Sequence, residues 1–365
     1  MNRVLPPAPM SGLAAAPAQE SAISKAGQAS TPKPADPLSV KALAFILAAL
    51  TLLLAALGLA AGSEGWSLAW AREWDLVAAI RAPRTAGALL VGALLGLAGA
   101  LAQGLFRNPL ADPYLLGSAA GAGLGVVLVL AAGGWLGQHI GLATAGLLLR
   151  LGLVGAAFAG ALMGVALTLM LARGAAQPLV LLLAGVVVGI LMSALSEVVT
   201  LVSPEALRGK QIFMLGTTSF LGWTSVAVLA AALVGVLLLA WRYARALDAL
   251  VRGEASAISL GLNLARVRLL LVSLMALATG TAVAQAGLVA FVGLVAPHIV
   301  RRLVVVRHGP LLWLSALAGG VLLLAADVAA RAVIVPQELP VGLLTAVLGG
   351  IYLLVLLRRR GRHPL

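Results

Sequence analysis

The chain has no cysteine, and only 10% of its 365 residues are charged. Without thiols there can be no disulfide, zinc–thiolate centre or cysteine nucleophile. A soluble domain carries roughly 25% charged residues, so the shortage of charge argues against one. Acidic residues are scarcest, 12 Asp+Glu against 25 Lys+Arg. Catalytic signatures are missing too. There is no H-E-x-x-H, no cluster at metal-ligand spacing and no nucleophile beside a base. The nearest approach to a phosphate-binding loop, Leu207-Arg208-Gly209-Lys210-Gln211, lacks the G-x-x-x-x-G-K-[ST] spacing that wraps phosphates in backbone N–H groups.

What remains is 62% hydrophobic, with a mean hydropathy of +1.08. The apolar runs are continuous, not alternating in ~10-residue segments as barrel strands do. They predict an all-α polytopic membrane protein. Ten candidate spans lie near 42–62, 85–106, 113–133, 143–172, 178–200, 222–241, 266–285, 288–306, 311–331 and 339–358. The split between the seventh and eighth is placed at Gln285-Ala286-Gly287. Residues 1–38 are rich in Ala, Pro and Ser and read as a disordered tail, not a cleaved signal peptide, since the first long apolar run starts at Ala42. A membrane domain over 39–360 and a short tail over 361–365 complete the organisation.

The net charge of +13 would suggest nucleic acid in a soluble protein; here it reads as loop charge that sets orientation, with no nucleic-acid partner. With both termini cytoplasmic, 18 of the 25 Lys+Arg fall inside and 7 outside, as the positive-inside rule expects.

Four places invite a functional reading. Arg81 and Arg84 precede the second span and Arg331 ends the ninth. Each could snorkel to headgroups, or the three could together meet carboxylates of an extracytoplasmic partner. Asp327 lies at membrane depth four residues before Arg331, on one helical face, as a structural ion pair or a coupling carboxylate. Glu197 ends the fifth span. Residues 242–268 form the longest internal hydrophilic segment, predicted as two short amphipathic helices joined near Gly253. That segment is either an interfacial loop or a docking element for a partner groove. Gln103, Asn108 and Gln285 are expected as helix–helix hydrogen-bond partners, and His139, His308 and His363 as solvated.

Residues 81–122 carry the most information. Arg81-Ala82-Pro83-Arg84 opens an uncharged run. The run breaks at Asn108-Pro109-Leu110-Ala111-Asp112-Pro113 and resumes with Gly117, Gly121, Gly123 and Gly125, a small-residue face suited to close helix packing. Further on come Gly287-Leu288-Val289-Ala290-Phe291-Val292-Gly293-Leu294, then Pro297-His298 and Arg301, and finally Glu338-Leu339-Pro340-Val341-Gly342. Over residues 42–360 the chain resembles the permease family of ABC importers for iron-siderophores, haem and vitamin B12. The one departure is Phe213 to Ser219, where that family usually shows a tryptophan and a G-S pair.

The resemblance implies a vitamin B12 permease-like fold of about ten transmembrane helices and a homodimer with the pore at its two-fold axis, in a bacterial inner membrane. It implies two ATP-binding subunits holding ATP–Mg, with no cofactor or metal on this chain, and a periplasmic substrate-binding protein as the third partner. It assigns Arg81, Arg84 and Arg331 to docking of that protein. Leu260, Gly261 and Arg268 fall in the coupling segment, and Asn108, Pro109, Pro297 and His298 in gate or fold motifs. The other reading is a secondary transporter driven by an ion gradient through Asp327 or Glu197.

Overall fold

The computed structural model describes residues 38–62, 65–70, 72–136, 142–173 and 177–360. The expected N-terminal tail, Leu38 apart, and the 361–365 tail lie outside them. Thirteen helices account for nearly all of this. Helix α1 (Val40–Ala60) is capped by the Ser39 hydroxyl, which accepts from Ala42 N at 3.1 Å. A two-stranded turn, β1 (Ala61–Gly62) with β2 (Gly65–Trp66), leads to α2 (Trp74–Leu105). Pro83 has no N–H to give to residue 79, and just before it α2 widens into a π-turn over Val77–Arg81. A 3₁₀ turn, Pro113–Leu116, capped by Asp112, starts the return through α3 (Ser118–Leu136) and α4 (Leu142–Leu171). Then come α5 (Pro178–Val202), α6 (Pro204–Leu215), α7 (Trp223–Arg242), α8 (Ala244–Arg252) and α9 (Glu254–Ser259). The last four are α10 (Leu264–Ala286), α11 (Val292–Leu303), α12 (His308–Ala332) and α13 (Val341–Arg360).

Seven of these are long and apolar enough to cross a membrane: α1, α2, the part of α4 from Gly152, α5, α7, α10 and α12. Shorter apolar stretches, Ser118–Gly133 in α3 and Val341–Leu356 in α13, add two more. The chain is thus a multi-pass membrane protein with nearly the expected number of crossings. The exception is the predicted eighth span. Its helix, α11, has 12 residues, about 18 Å at the α-helical rise, against ~30 Å of hydrocarbon. Gly287 (φ 70°) and Phe291 (φ 67°) break the chain after α10, so that it re-enters as non-helical backbone before α11. Such backbone survives at depth only where protein surrounds it, and here the surroundings are a glycine junction. Leu288 N donates to Phe213 O at 2.9 Å and Thr217 N to Ala286 O at 2.8 Å. A Cβ on Gly216 or Gly342 would come within 2.5 Å of the Leu288 carbonyl.

The core is α2 enclosed by α10, α11 and α12. Nearly all of α2 from Pro83 to Leu105 is buried. Close approach needs glycine: a Cβ at Gly92 would sit 2.3 Å from Gly319 O, at Gly96 2.2 Å from Ser315 O, and at Gly99 1.6 Å from Gly293 O. The α3–α4 pair repeats the device, with Gly121 and Gly160 each 2.1 Å from the other's carbonyl by the same measure. Gly123, expected on that face, points to open space. Leu38 N donates to Leu303 O at 2.9 Å, so the start of α1 and the end of α11 share one face. This face is called basal below, and the opposite one apical.

Candidate functional site

At the apical face, α12 supplies Asp327 and Arg331 one turn apart. Asp327 is 0% and Arg331 2% exposed. A buried carboxylate needs charge and hydrogen bonds together, and Asp327 has both. Arg331 Nη2 pairs with Oδ2, Arg84 Nε with Oδ1 at 3.1 Å, and the Thr218 hydroxyl donates to Oδ1. Arg331 Nη1 also donates to Gly58 O at 2.8 Å and Ala61 O at 3.0 Å, fastening the end of α1. Arg84 Nη1 reaches Glu338, 2.9 and 2.8 Å from its two oxygens, and the Ser219 hydroxyl donates to the same carboxylate at 3.1 Å. The result is an alternating chain, Arg331–Asp327–Arg84–Glu338, joining α1, α2, α12 and the segments before α7 and α13.

Two of the three arginines singled out by sequence therefore meet at one carboxylate and face inward. Arg81 stands apart. Its Nη2 pairs with Glu73 at 2.8 Å and its Nη1 donates to Leu59 O at 3.4 Å. Glu197 lies away from this cluster, in an exposed pair with Lys210 of α6 at 2.6 Å. Glu338 and Thr218 were not picked out by sequence. Glu338 had a signal, since it opens the E-L-P-x-G string. Thr218 lies in the segment that departs from the family pattern, and its hydroxyl donates a hydrogen bond to the Asp327 carboxylate.

At the basal face, the two short helices expected in 242–268 are α8 and α9, hinged at Gly253 (φ 127°). Alternation of charge and leucine makes α8 strongly amphipathic: Leu247 and Leu250 are buried, while Val251 is exposed. Ile258 and Leu260 at the tip of α9 are 60% and 62% exposed. Gly261 (φ 76°) faces open space. Arg268 does not reach the tip. It is buried and pairs with Glu254 at 2.6 Å, and Arg107 reaches the same oxygen at 3.5 Å. Asp248 of α8 caps the start of α12, accepting from His308 N at 3.0 Å and lying 2.7 Å from His308 Nδ1. His308 is thus buried between α8 and α12, not solvated as expected. His139 and His363 fall outside the described residues.

The expected gate or fold residues divide. Asn108 is exposed and makes no helix–helix bond among the described residues; its Oδ1 accepts from Leu110 N at 2.9 Å, an Asx turn that spans Pro109. Gln103 does bridge helices, donating to Leu294 O at 3.1 Å. Gln285 is half-buried at the end of α10. Pro297 and His298 are buried in α11, where the His298 ring meets Tyr352 of α13 edge-on at 5.9 Å. Among the described residues, no three His, Cys, Asp or Glu side chains gather as metal ligands.

A multi-pass bundle with a broken re-entrant segment, an ionic lock at one face and a clamped helical pair at the other is an architecture suited to a membrane transport subunit. Its sequence over residues 42–359 matches the profile of the FecCD transport family, and the chain belongs to that family. It is 38% identical over 289 residues to the hemin transport system permease protein HmuU of Yersinia pestis, covering 79% of this chain and 84% of the relative. It is 40% identical over 325 residues to the vitamin B12 import system permease protein BtuC of Salmonella typhi, covering 87% and 94%. A solved metal-chelate type ABC transporter in an inward-facing conformation superposes with a TM-score of 0.77 at 27% identity, covering 88% of this chain and 99% of the other.

Proposed function

We propose that the chain is the permease subunit of an ATP-driven importer that takes a metal chelate, haem or ferric siderophore, or a cobalamin, from a periplasmic binding protein to the cytoplasm. In this reading two copies form the pore and two ATP-binding subunits carry ATP–Mg. This chain binds no cofactor and makes no bond in its cargo. The basal face, where α1 starts, is proposed to be cytoplasmic together with both termini, in a bacterial inner membrane, and the apical face to be periplasmic. The observation that carries the reading is the α8–α9 pair. Its tip presents Ile258, Leu260 and Gly261 to solvent, while Glu254 and Asp248 tie its base to α10, α2 and α12. A hydrophobic tip on a braced base suits seating in a groove of a partner ATPase. Of the three arginines that the sequence offered for docking at the other face, Arg81 and Arg84 are proposed to meet binding-protein carboxylates, which would compete with the partly exposed Glu73 and Glu338 for their guanidinium groups. Arg331, only 2% exposed, would act from behind them by holding Asp327.

The test is uptake by proteoliposomes holding the chain with and without its ATPase. Uptake is expected only with both the ATPase and ATP. Uptake by the chain alone under a proton or sodium gradient would overturn the reading and favour Asp327 or Glu197 as a coupling carboxylate.

A further inference from the structure

Three interruptions of the helical bundle meet beside the apical cluster: the link from α6 to α7 (216–222), the re-entrant stretch after α10 (287–291) and the approach to α13 (333–340). Their backbones touch at Gly216, Leu288 and Gly342. A line of polar groups also crosses all three. Arg84 Nη1 holds both Glu338 oxygens, at 2.9 and 2.8 Å. The Ser219 hydroxyl donates to Glu338 Oε2 at 3.1 Å, and the Thr217 hydroxyl donates to Ser219 Oγ at 3.1 Å. Thr217 N then donates to the Ala286 carbonyl at 2.8 Å, the last residue of α10 before the chain breaks at Gly287. Each hydroxyl in this line both donates and accepts, since Thr217 Oγ1 also accepts from Ser219 N at 3.2 Å. Hydrogen bonds linked in this way strengthen one another.

The two carboxylates on Arg84 differ in how they can be replaced. Asp327 is 0% exposed, so no group from outside reaches its place. The Glu338 side chain is 24% exposed, and Ser219 is exposed beside it. Glu338 is therefore the member of the line open to displacement from the apical side. Without it, the hydrogen bond left between the α6–α7 link and the approach to α13, among the described residues, is Gly342 N to Gly216 O at 3.4 Å. That is longer than the usual backbone bond of about 2.9–3.0 Å.

We infer that Glu338 is a positioning residue. By holding Arg84 and Ser219 at once, it keeps the re-entrant stretch closed against the α6–α7 link, and loss of its carboxylate from that place lets Ala286–Val289 come away. Non-helical backbone at membrane depth depends on the protein packed around it, so a tie at the edge of the junction governs how well that backbone is covered. Under the docking proposed above, a binding-protein carboxylate that takes Arg84 from Glu338 starts the release, and this trigger alone rests on that reading.

The chain has no native cysteine, so a single thiol can report the opening. Val289→Cys, at a position 1% exposed in the re-entrant stretch, is introduced into the full chain in phospholipid nanodiscs. Its modification by a small charged thiosulfonate reagent is timed. Leu271→Cys, at a position 0% exposed in the basal part of α10, reports general loosening. Glu338→Ala should speed modification at Val289→Cys at least about fivefold and leave Leu271→Cys within about twofold of the parent, as local opening does. Ser219→Ala, which breaks the line but spares the Arg84–Glu338 pair, should speed it at least about threefold, the effect of one hydrogen bond. Glu338→Asp, which keeps the charge, should react at least about threefold more slowly than Glu338→Ala. Unchanged modification of Val289→Cys in Glu338→Ala, an equal rise at Leu271→Cys, or a Ser219→Ala variant as protected as the parent would overturn the positioning role. The measurement uses no ATPase and no cargo, so it can fail while ATP-driven uptake stands, and succeed where uptake proves to be gradient-driven.

Discussion

Asp327 decides the electrostatics of the apical face. It is fully buried and pairs with two guanidinium groups, one of them on its own helix, and Glu338 supplies the second negative charge that balances them. Removing one partner of a buried pair leaves the other charge uncompensated, at a cost of about 3–5 kcal/mol. Asp327→Asn is therefore expected to lower thermal stability sharply and reduce the yield of monodisperse protein, as read by fluorescence-detected size exclusion after heating. Glu338→Gln should cost far less, because Glu338 is partly exposed and Arg84 keeps its bond to Asp327. Equal melting of the two variants would remove Asp327 from its central place. Part of this site could be seen in the sequence. Asp327 and Arg331 are four apart in an apolar helix, and helical periodicity alone pairs them. Arg84 with Asp327, and Arg84 with Glu338, join positions more than 240 residues apart. No local rule brings such partners together. The expectation that the arginines face outward came from their position at helix ends and from the family resemblance, and neither says which way a side chain turns.

Helices here are held by what is absent from their side chains. Gly99 crosses α11 so closely that an added Cβ would overlap the Gly293 carbonyl, a backbone atom that cannot rotate aside. Gly99→Ala must push α2 and α11 apart and is expected to destabilise by about 1–3 kcal/mol, the range for overpacked cores. Gly123→Ala meets nothing and should be neutral or stabilising by up to ~1 kcal/mol through helix propensity. Melting curves for the two variants in one detergent check the order, and equal melting points would refute it. Element existence was largely legible, because uninterrupted apolar runs have one solution in a bilayer. Two elements were not. Helix α6 has only 12 residues and carries Glu205, Arg208 and Lys210, so its composition reads as a loop. The run from Leu288 is apolar enough for a span, yet the junction of Gly216, Gly287 and Gly342 lets it pass as bare backbone. Hydropathy measures burial and cannot tell a buried helix from a buried break.

Over the whole molecule, the basal helical pair and the apical lock are the two ends of the same helices. Glu254 holds Arg268 of α10 and Arg107 just after α2, and Asp248 holds the start of α12. Helices α2 and α12 run on to Arg84 and Asp327. A displacement of α8–α9 by an ATPase is thereby delivered to the helices that carry the apical cluster, provided the base of the pair is stiff. Two variants separate seating from transmission. Gly261 has φ 76° and open space beyond it, so Gly261→Trp strains the turn by about 1 kcal/mol and places its bulk on the exposed tip. It is expected to weaken assembly with the ATPase, read as loss of co-purification. Glu254→Gln leaves the tip untouched and removes the anion from Arg268 and Arg107. Assembly should persist and ATP hydrolysis continue, while uptake per ATP falls by roughly tenfold, because the pair then moves without carrying α10 and α2 with it. If Glu254→Gln keeps normal uptake per ATP, or if Gly261→Trp assembles and transports normally, the pair is a solvated connection and the two faces communicate by another route.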